Sequence, residues 1–496
     1  MDPCPLVRPC LLNLPARLVV ASLALLVAMP LSISGQSSGK DPSEARELEG
    51  LWAAKLRFGP DLRGTLILEH TSDGWRAEIA GVSAEAGRDN DAIIFELPDG
   101  RGGFRGGLSS SRRWIIGHWI QAATVSSGSR YASPVTLERI GKSERWQGVI
   151  DPLDDEFTMY LKVEGAADGS VRAFLKNPER NIGKFTRVAT LERDGQAVRL
   201  RAQRTDQAEG RLLSEGTFAE DVLSLPLRGG TYDFQRVAPG AASDFYPRSQ
   251  AGIGASYRYR VPTPRDDGWP VRTPEDVGMS RGALETLVRT IIDTPIDSVG
   301  SPEIHGVLIA RHGKLILEEY FHGEYRDKPH DTRSAAKSMT SVLAGAAIQA
   351  GVPLSAESYV YQVMNGGTFP ADLGPRKRAL TLEHLLTMSS GLDCDDNDPD
   401  SPGNEDKVAE QSDEPDFWKL TLALGMIRDP GERAVYCSVQ ANLVGGVIRT
   451  AAGRPLPELF HDLVAEPLQI RRYWMPLMPS GEAYMEAVLV SCSGIS

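Results

Sequence analysis

Two short stretches of this chain combine residue types that can activate a nucleophile. Ser334-Ala-Ala-Lys337 places a hydroxyl three positions ahead of an ammonium. In a helix, positions i and i+3 share a face, so Lys337 can reach the Ser334 hydroxyl. A serine hydroxyl is a weak nucleophile until a neighbouring base takes its proton. A helix N-terminus adds free N–H groups and a positive potential, both favouring a developing oxyanion. Further along stands Tyr436-Cys437-Ser438. A phenol beside an ammonium ionises more readily, so Tyr436 can act as general base toward the serine. The blander alternatives are a capped, solvated helix start at Ser334 and a core tyrosine at 436.

The flanking patterns say what must hold these groups. Met339, Val342, Leu343, Ala346 and Ala350 recur at helical spacing, predicting a core helix entered at Ser334. Pro430-Gly431 makes a turn before Tyr436. Leu443, Val444, Val447 and Ile448 then predict a second core helix, capped by Ser438 and ending near Gly453. Upstream, Ser280 reads as the N-cap of a helix that turns Leu284, Leu287, Val288 and Ile291 inward. His312-Gly313 joins two strand-like runs as a hairpin. Helix followed by hairpin implies an antiparallel sheet with helices on its faces, over residues 272–485.

Residues 45–237 read differently. Short alternating runs, such as 64–69, 92–96 and 157–163, are separated by glycine-rich turns such as 99–103. They form two units. Residues 45–140 open with Gly50-Leu-Trp52, and residues 141–237 open with Trp146-Gln-Gly148. Evenly spaced short strands imply closed or sandwiched antiparallel sheets, with filled cores expected and a ligand cavity as the alternative. Residues 238–271 turn to Pro, Gly, Ser and Tyr, a linker partly ordered by Phe245, Tyr246, Tyr257 and Tyr259. The fold class is therefore multidomain: an N-terminal all-β barrel or sandwich repeat, then an α/β domain.

The 496 residues leave room for two or three domains. With 54 basic against 66 acidic residues the net charge is −12, which argues against nonspecific nucleic-acid binding. Arg8 and Arg17, an apolar run over 18–29, and the small residues Ser32, Ser34 and Gly35 read as a signal peptide over 1–35. If uncleaved, that segment is the membrane contact. A secreted or periplasmic location follows, where disulfides persist. Cys4 and Cys10 leave with the signal and Cys492 sits in the tail, so Cys394 and Cys437 remain as a candidate disulfide. Two free buried thiols are the alternative. The acidic run 393–400 with Glu405 and Asp406 offers carboxylates to Ca²⁺ but lacks the spacing of a calcium loop, so it reads as solvated. His305, His312, His322, His330, His384 and His461 show no metal-ligand spacing, and His384 reads as helix surface. No metal or cofactor is expected.

Ser334 with Lys337, the stretch 380–392 and the Pro-Gly turn before Tyr436 together resemble the penicillin-recognising serine hydrolases. The likeness is to their class C β-lactamase-like branch, which includes DD-peptidases, esterases and amide hydrolases, and runs from about Pro274 to Met485. It implies that Ser334 is acylated, Lys337 is its proton partner and Tyr436 is the general base. Ser438 stands where the family often has Asn, which implies a substrate-binding role: its hydroxyl can still donate toward a substrate carbonyl or leaving group. The implied reaction is acyl transfer from a small-molecule or peptide-like amide, ester or lactam, then hydrolysis. The family also uses a later triplet of Lys or His, any residue, then Gly, which this sequence lacks. The tail 486–496 reads as aberrant. If one G is restored before Glu486, codons exist that read Gly-Gly-Gly-Ala-Arg-Phe-Leu-Phe-Arg-Asp-Phe, so a frame change truncating the domain and weakening activity is an expectation. The rival from another class is a secreted binding protein that uses the β repeats beside a degenerate hydrolase half.

Overall fold

A wall strand with one inward face buries every second residue, and Gly64–Thr71 does so at Leu66 and Leu68. The computed structural model describes residues 42–57, 62–123, 130–153, 156–166, 170–177, 190–202, 210–227, 230–249, 256–266, 268–485 and 489–491. The proposed signal segment, Cys4, Cys10 and Cys492 lie outside them. Eight strands from Gly64–Thr71 to Arg145–Ile150 pair antiparallel in chain order, and the last pairs with both the first and Arg130–Arg139. This closes a barrel. Leu66, Phe95, Phe104, Trp119, Leu137 and Trp146 are among the side chains filling it. A second, 8-stranded barrel-like sheet encloses Trp52, Met159, Leu161, Leu200, Tyr232 and Phe234.

The two units exchange their opening strands. Gly50–Arg57 opens the first repeat, yet it pairs with Glu156–Gly165 and Gly230–Arg236 of the second. Arg145–Ile150 opens the second repeat and completes the first barrel. Trp52 and Trp146, both fully buried, thus each sit in the core of the other unit. An aromatic of this size buries roughly 150–250 Å², so neither barrel is complete without the other's opening strand.

The α/β half departs from one continuous sheet. Gly306–Arg311 and Lys314–Tyr320 form a separate hairpin, with His312 (φ 50°) and Gly313 (φ 67°) both left-handed as a two-residue I′ turn requires. Tyr473–Leu477 instead pairs with Arg130–Arg139 of the first barrel, and Leu489–Ser491 bridges it to Pro329–Asp331. The tail thus contributes a strand at 489–491, too short to show alternation in sequence.

Helix Ser438–Ala452 forms the centre of this half, buried from Ser438 to Ile448 and closed by Gly453 in a left-handed turn (φ 65°). Gly445 and Gly446 let it pass close to neighbours: an added Cβ would stand 2.8 Å from Met485 at one and 2.7 Å from the Trp418 ring at the other. Helix Ala336–Gln349 packs against it through Ala336, Thr340, Leu343, Ala344 and Ala347. The expected stripe is therefore rotated, and Val342 is 53% exposed. Small residues win the inward face because they permit close helix contact. In Arg281–Ile292, capped by Ser280, Leu287 likewise faces outward while Ile292 is buried.

The linker acts as an adhesive. Phe245 is wholly buried among Tyr160 and Phe174 of the second barrel and Ile296 and Val299 beyond it. Tyr259 donates to the Ile316 carbonyl at 2.7 Å, and Lys176 pairs with Glu303 at 3.2 Å. Against the first barrel, His118 Nε2 lies 2.7 Å from the Tyr473 hydroxyl. Burial, then the neighbouring His461, drives the His118 pKa from 6.5 down to about 3. The unfolded chain therefore binds the extra proton between those values, so stability falls as pH drops through that window. Urea midpoints measured from pH 7 to pH 4 are expected to decline, and His118→Gln to flatten the decline. Among the described residues, no helix is long and apolar enough to cross a membrane.

Candidate active site

Strand Pro329–Asp331 leads into a tight turn, Arg333–Ala335, and then into helix Ala336–Gln349. Arg333 is left-handed (φ 46°), a conformation that costs a non-glycine residue roughly 1–3 kcal/mol. Asp331 holds it there: one carboxylate oxygen accepts the Arg333 N–H at 2.8 Å and the other pairs with its guanidinium at 3.3 Å. The turn leaves Ser334 exposed just ahead of the helix N-terminus, on the side of its positive potential. Lys337 is half-buried and its ammonium donates to Ser334 Oγ at 3.1 Å. The same ammonium lies 5.2 Å from the centre of the Tyr436 ring. One cation therefore touches both other members of the predicted trio.

Tyr436 arrives on an extended segment. The Val435 N–H donates to the Met388 carbonyl at 2.8 Å, and the Tyr436 carbonyl accepts the Asp396 N–H at 3.0 Å. Tyr436 is 41% exposed. Cys437 is joined to Cys394 by a disulfide with Cα atoms 5.6 Å apart. Ser438 is the first residue of the central helix and wholly buried, with no hydrogen-bond partner for its Oγ. The cap expected from its hydroxyl comes instead from Asp396, whose carboxylate accepts the Ser438 N–H at 2.7 Å.

The acidic loop before this segment is tied together by its own polar groups. Asn404 Nδ2 donates to the carbonyls of Asp395, Asp396 and Asp398 at 3.2–3.4 Å, and Ser401 Oγ accepts the Asp395 N–H. Sequence reasoning treated the loop as solvated and missed Asp396. No local pattern marks it: Asp395 and Asp398 bond the backbone two residues on, whereas the Asp396 carboxylate accepts from Ser438 and Glu405, 42 and 9 positions away. The disulfide closes a sequence separation of 43, which the chain-entropy estimate values at about 4 kcal/mol. Cys437→Ser is expected to lower unfolding stability by about that amount, as read from urea denaturation with and without reductant.

Other groups lie apart from this trio. A cavity of about 440 Å³ is lined by His305, His330, Glu303 and Glu324, among others. His305 and His330 share a hydrogen bond, and burial lowers both pKa values, that of His305 to about 3. A second cavity, about 470 Å³, lies between the first barrel and residues 453–462. Neither is lined by Ser334, Lys337 or Tyr436. A π-helical turn at His461–Ala465 brings His461, Asp462 and Glu466 within ligand distance of one another, a grouping no helical spacing foretold. Asp462 is already paired there with Arg454 at 2.7 Å. His384 is half-buried, its Nδ1 accepting the Thr381 N–H at 3.1 Å.

No curated protein matches the chain. Among solved structures it is similar to a protein described as a β-lactamase from Bacteroides dorei, at 18% identity over 38% of this chain and 54% of that one, with a TM-score of 0.31. It is also similar to a β-lactamase/D-alanine carboxypeptidase from Yersinia pestis, at 16% identity over 34% and 52% of the two chains, with a TM-score of 0.27. The chain thus spans just over half the length of these structures. A family model described as Beta-lactamase matches residues 297–489.

Proposed function

We propose that the chain is a serine hydrolase of the class C β-lactamase-like branch. It forms an acyl-enzyme at Ser334 from a small-molecule or peptide-like amide, ester or lactam. The observation that carries this reading is the Lys337 ammonium, 3.1 Å from Ser334 Oγ and 5.2 Å from the Tyr436 ring. In this mechanism Ser334 Oγ attacks the acyl carbon and its proton passes to the Tyr436 oxygen. Lys337 relays that proton, giving one from its ammonium to the Tyr436 oxygen and taking up the serine's, so that it ends as the ammonium again. The proton then goes to the departing amine or alkoxide, and water repeats the sequence to release the acid. The helix N-terminus beside Ser334 favours the oxyanion. Ser438 makes no contact with substrate in this scheme, because it is wholly buried.

The same reading puts the protein in an oxidising compartment, secreted or periplasmic, in keeping with the Cys394–Cys437 bond. The rival binding role draws no support from the barrel interiors, which hold Trp52, Trp119, Trp146 and their neighbours. The test is covalent labelling of the purified chain with a fluorophosphonate and a fluorescent penicillin. Turnover of a chromogenic lactam, a nitrophenyl ester and a D-Ala-D-Ala peptide then identifies the acyl class. Labelling is expected. A folded chain that neither labels nor turns over any of the three would remove the proposal.

A further inference from the structure

We infer that Asp396 is a positioning residue for catalysis, holding Tyr436 at the nucleophile from outside the motif; this rests on the role of Tyr436 proposed above. Tyr436 needs such help. The residue is 41% exposed, with its ring against the Lys337 ammonium, so its place depends largely on its backbone. That backbone precedes a helix whose N-cap, Cys437, provides no side-chain acceptor, its sulfur being bound to Cys394. The first turn of a helix leaves N–H groups without intrahelical partners.

Asp396 answers both needs at once. Its N–H donates to the Tyr436 carbonyl at 3.0 Å, and its Oδ2 accepts the Ser438 N–H at 2.7 Å. Oδ1 accepts the Glu405 N–H at 3.1 Å, anchoring the carboxylate to the start of helix Glu405–Glu410. The bonds to Tyr436 and Ser438 bracket Cys437, which the disulfide fixes to a residue two before Asp396. A carboxylate accepts at both oxygens, whereas an amide in its place keeps one acceptor and turns a donor toward an N–H. The negative charge also lies at a helix N-terminus, where it is stabilising. Loss of the Asp396 carboxylate leaves the disulfide and the backbone bond to the Tyr436 carbonyl in place. It removes the acceptor for the Ser438 N–H and the anchor to Glu405, so the segment is held on one side of Cys437 only. Displacement of a reacting group by about 1 Å can cost up to about 100-fold in rate.

The experiment is a double-mutant cycle on the full chain, read as the rate of fluorophosphonate labelling at Ser334, with melting temperature followed in parallel. Tyr436→Phe and Asp396→Ala are each expected to slow labelling, the latter by about 10- to 100-fold, and the double variant to match Tyr436→Phe alone. Asp396→Asn, which keeps one acceptor and folds more readily, is expected to fall between wild type and Asp396→Ala. Effects that multiply in the double variant overturn the inference, since Asp396 then acts by another route. So does a lowered melting temperature with the labelling rate unchanged, which reduces Asp396 to a structural role. If Tyr436→Phe labels at the wild-type rate, the general-base assignment itself fails, and the two failures are told apart by that single variant.

Discussion

Ser334→Ala is expected to abolish fluorophosphonate labelling outright, while the melting temperature stays within a few degrees of wild type. The side chain is exposed on its turn, where its Oγ accepts from Lys337. Surface substitutions of this kind usually change stability by less than about 0.5 kcal/mol. In the proposed mechanism this oxygen has no substitute, since it is the atom that the acyl group would join. Intact-protein mass spectrometry after labelling reads the result directly. An adduct of undiminished yield on the alanine variant would place the nucleophile elsewhere in the chain.

Lys337→Ala should be nearly as severe, slowing acylation by about 10²- to 10⁴-fold, the range over which a positioned proton-transfer group acts. Two contacts are lost together: the donor to Ser334 Oγ and the cation over the Tyr436 ring. The second alone is worth about 0.5–1 kcal/mol at an exposed site, too little for the whole effect, so most of the loss must come from the hydroxyl. Lys337→Arg separates charge from chemistry. Guanidinium keeps the positive charge and can stack on the phenol, but it is planar and does not give up a proton at any working pH. It is expected to preserve the melting temperature and restore little activity. If arginine labels at the wild-type rate, Lys337 serves as a fixed charge and not as a proton partner. Stopped-flow labelling of the three forms decides between these.

The barrels and the site are physically coupled. Tyr473–Leu477 pairs with the first barrel, and the segment after it reaches Met485, whose carbonyl accepts from Thr340 on helix Ala336–Gln349 and whose N–H donates to the Asn442 side chain on the central helix. Asn442 is wholly buried, and its own carbonyl accepts the Trp418 indole at 3.1 Å. The relative placement of Ser334 and Tyr436 thus draws on a polar network that no single element contains.

Much of this was legible in residue order because it is local. The Ser334–Lys337 contact needs only the rise and turn of one helix start. The end of the central helix at Gly453 and the His312-Gly313 hairpin follow from glycine's tolerance of left-handed backbone. What the tertiary structure alone decided is long-range. The exchange of Gly50–Arg57 and Arg145–Ile150 could not be read, because two similar units present equivalent partners and strand patterning is the same whichever barrel accepts it. The inward face of Ala336–Gln349 went to its small residues, since the partner helix and not hydrophobicity alone set the distance. Ser438 was hidden and Asp396 recruited for a related reason: a helix start fixes that its N–H groups need acceptors, but which side chain supplies one depends on a loop folded back from some forty residues away.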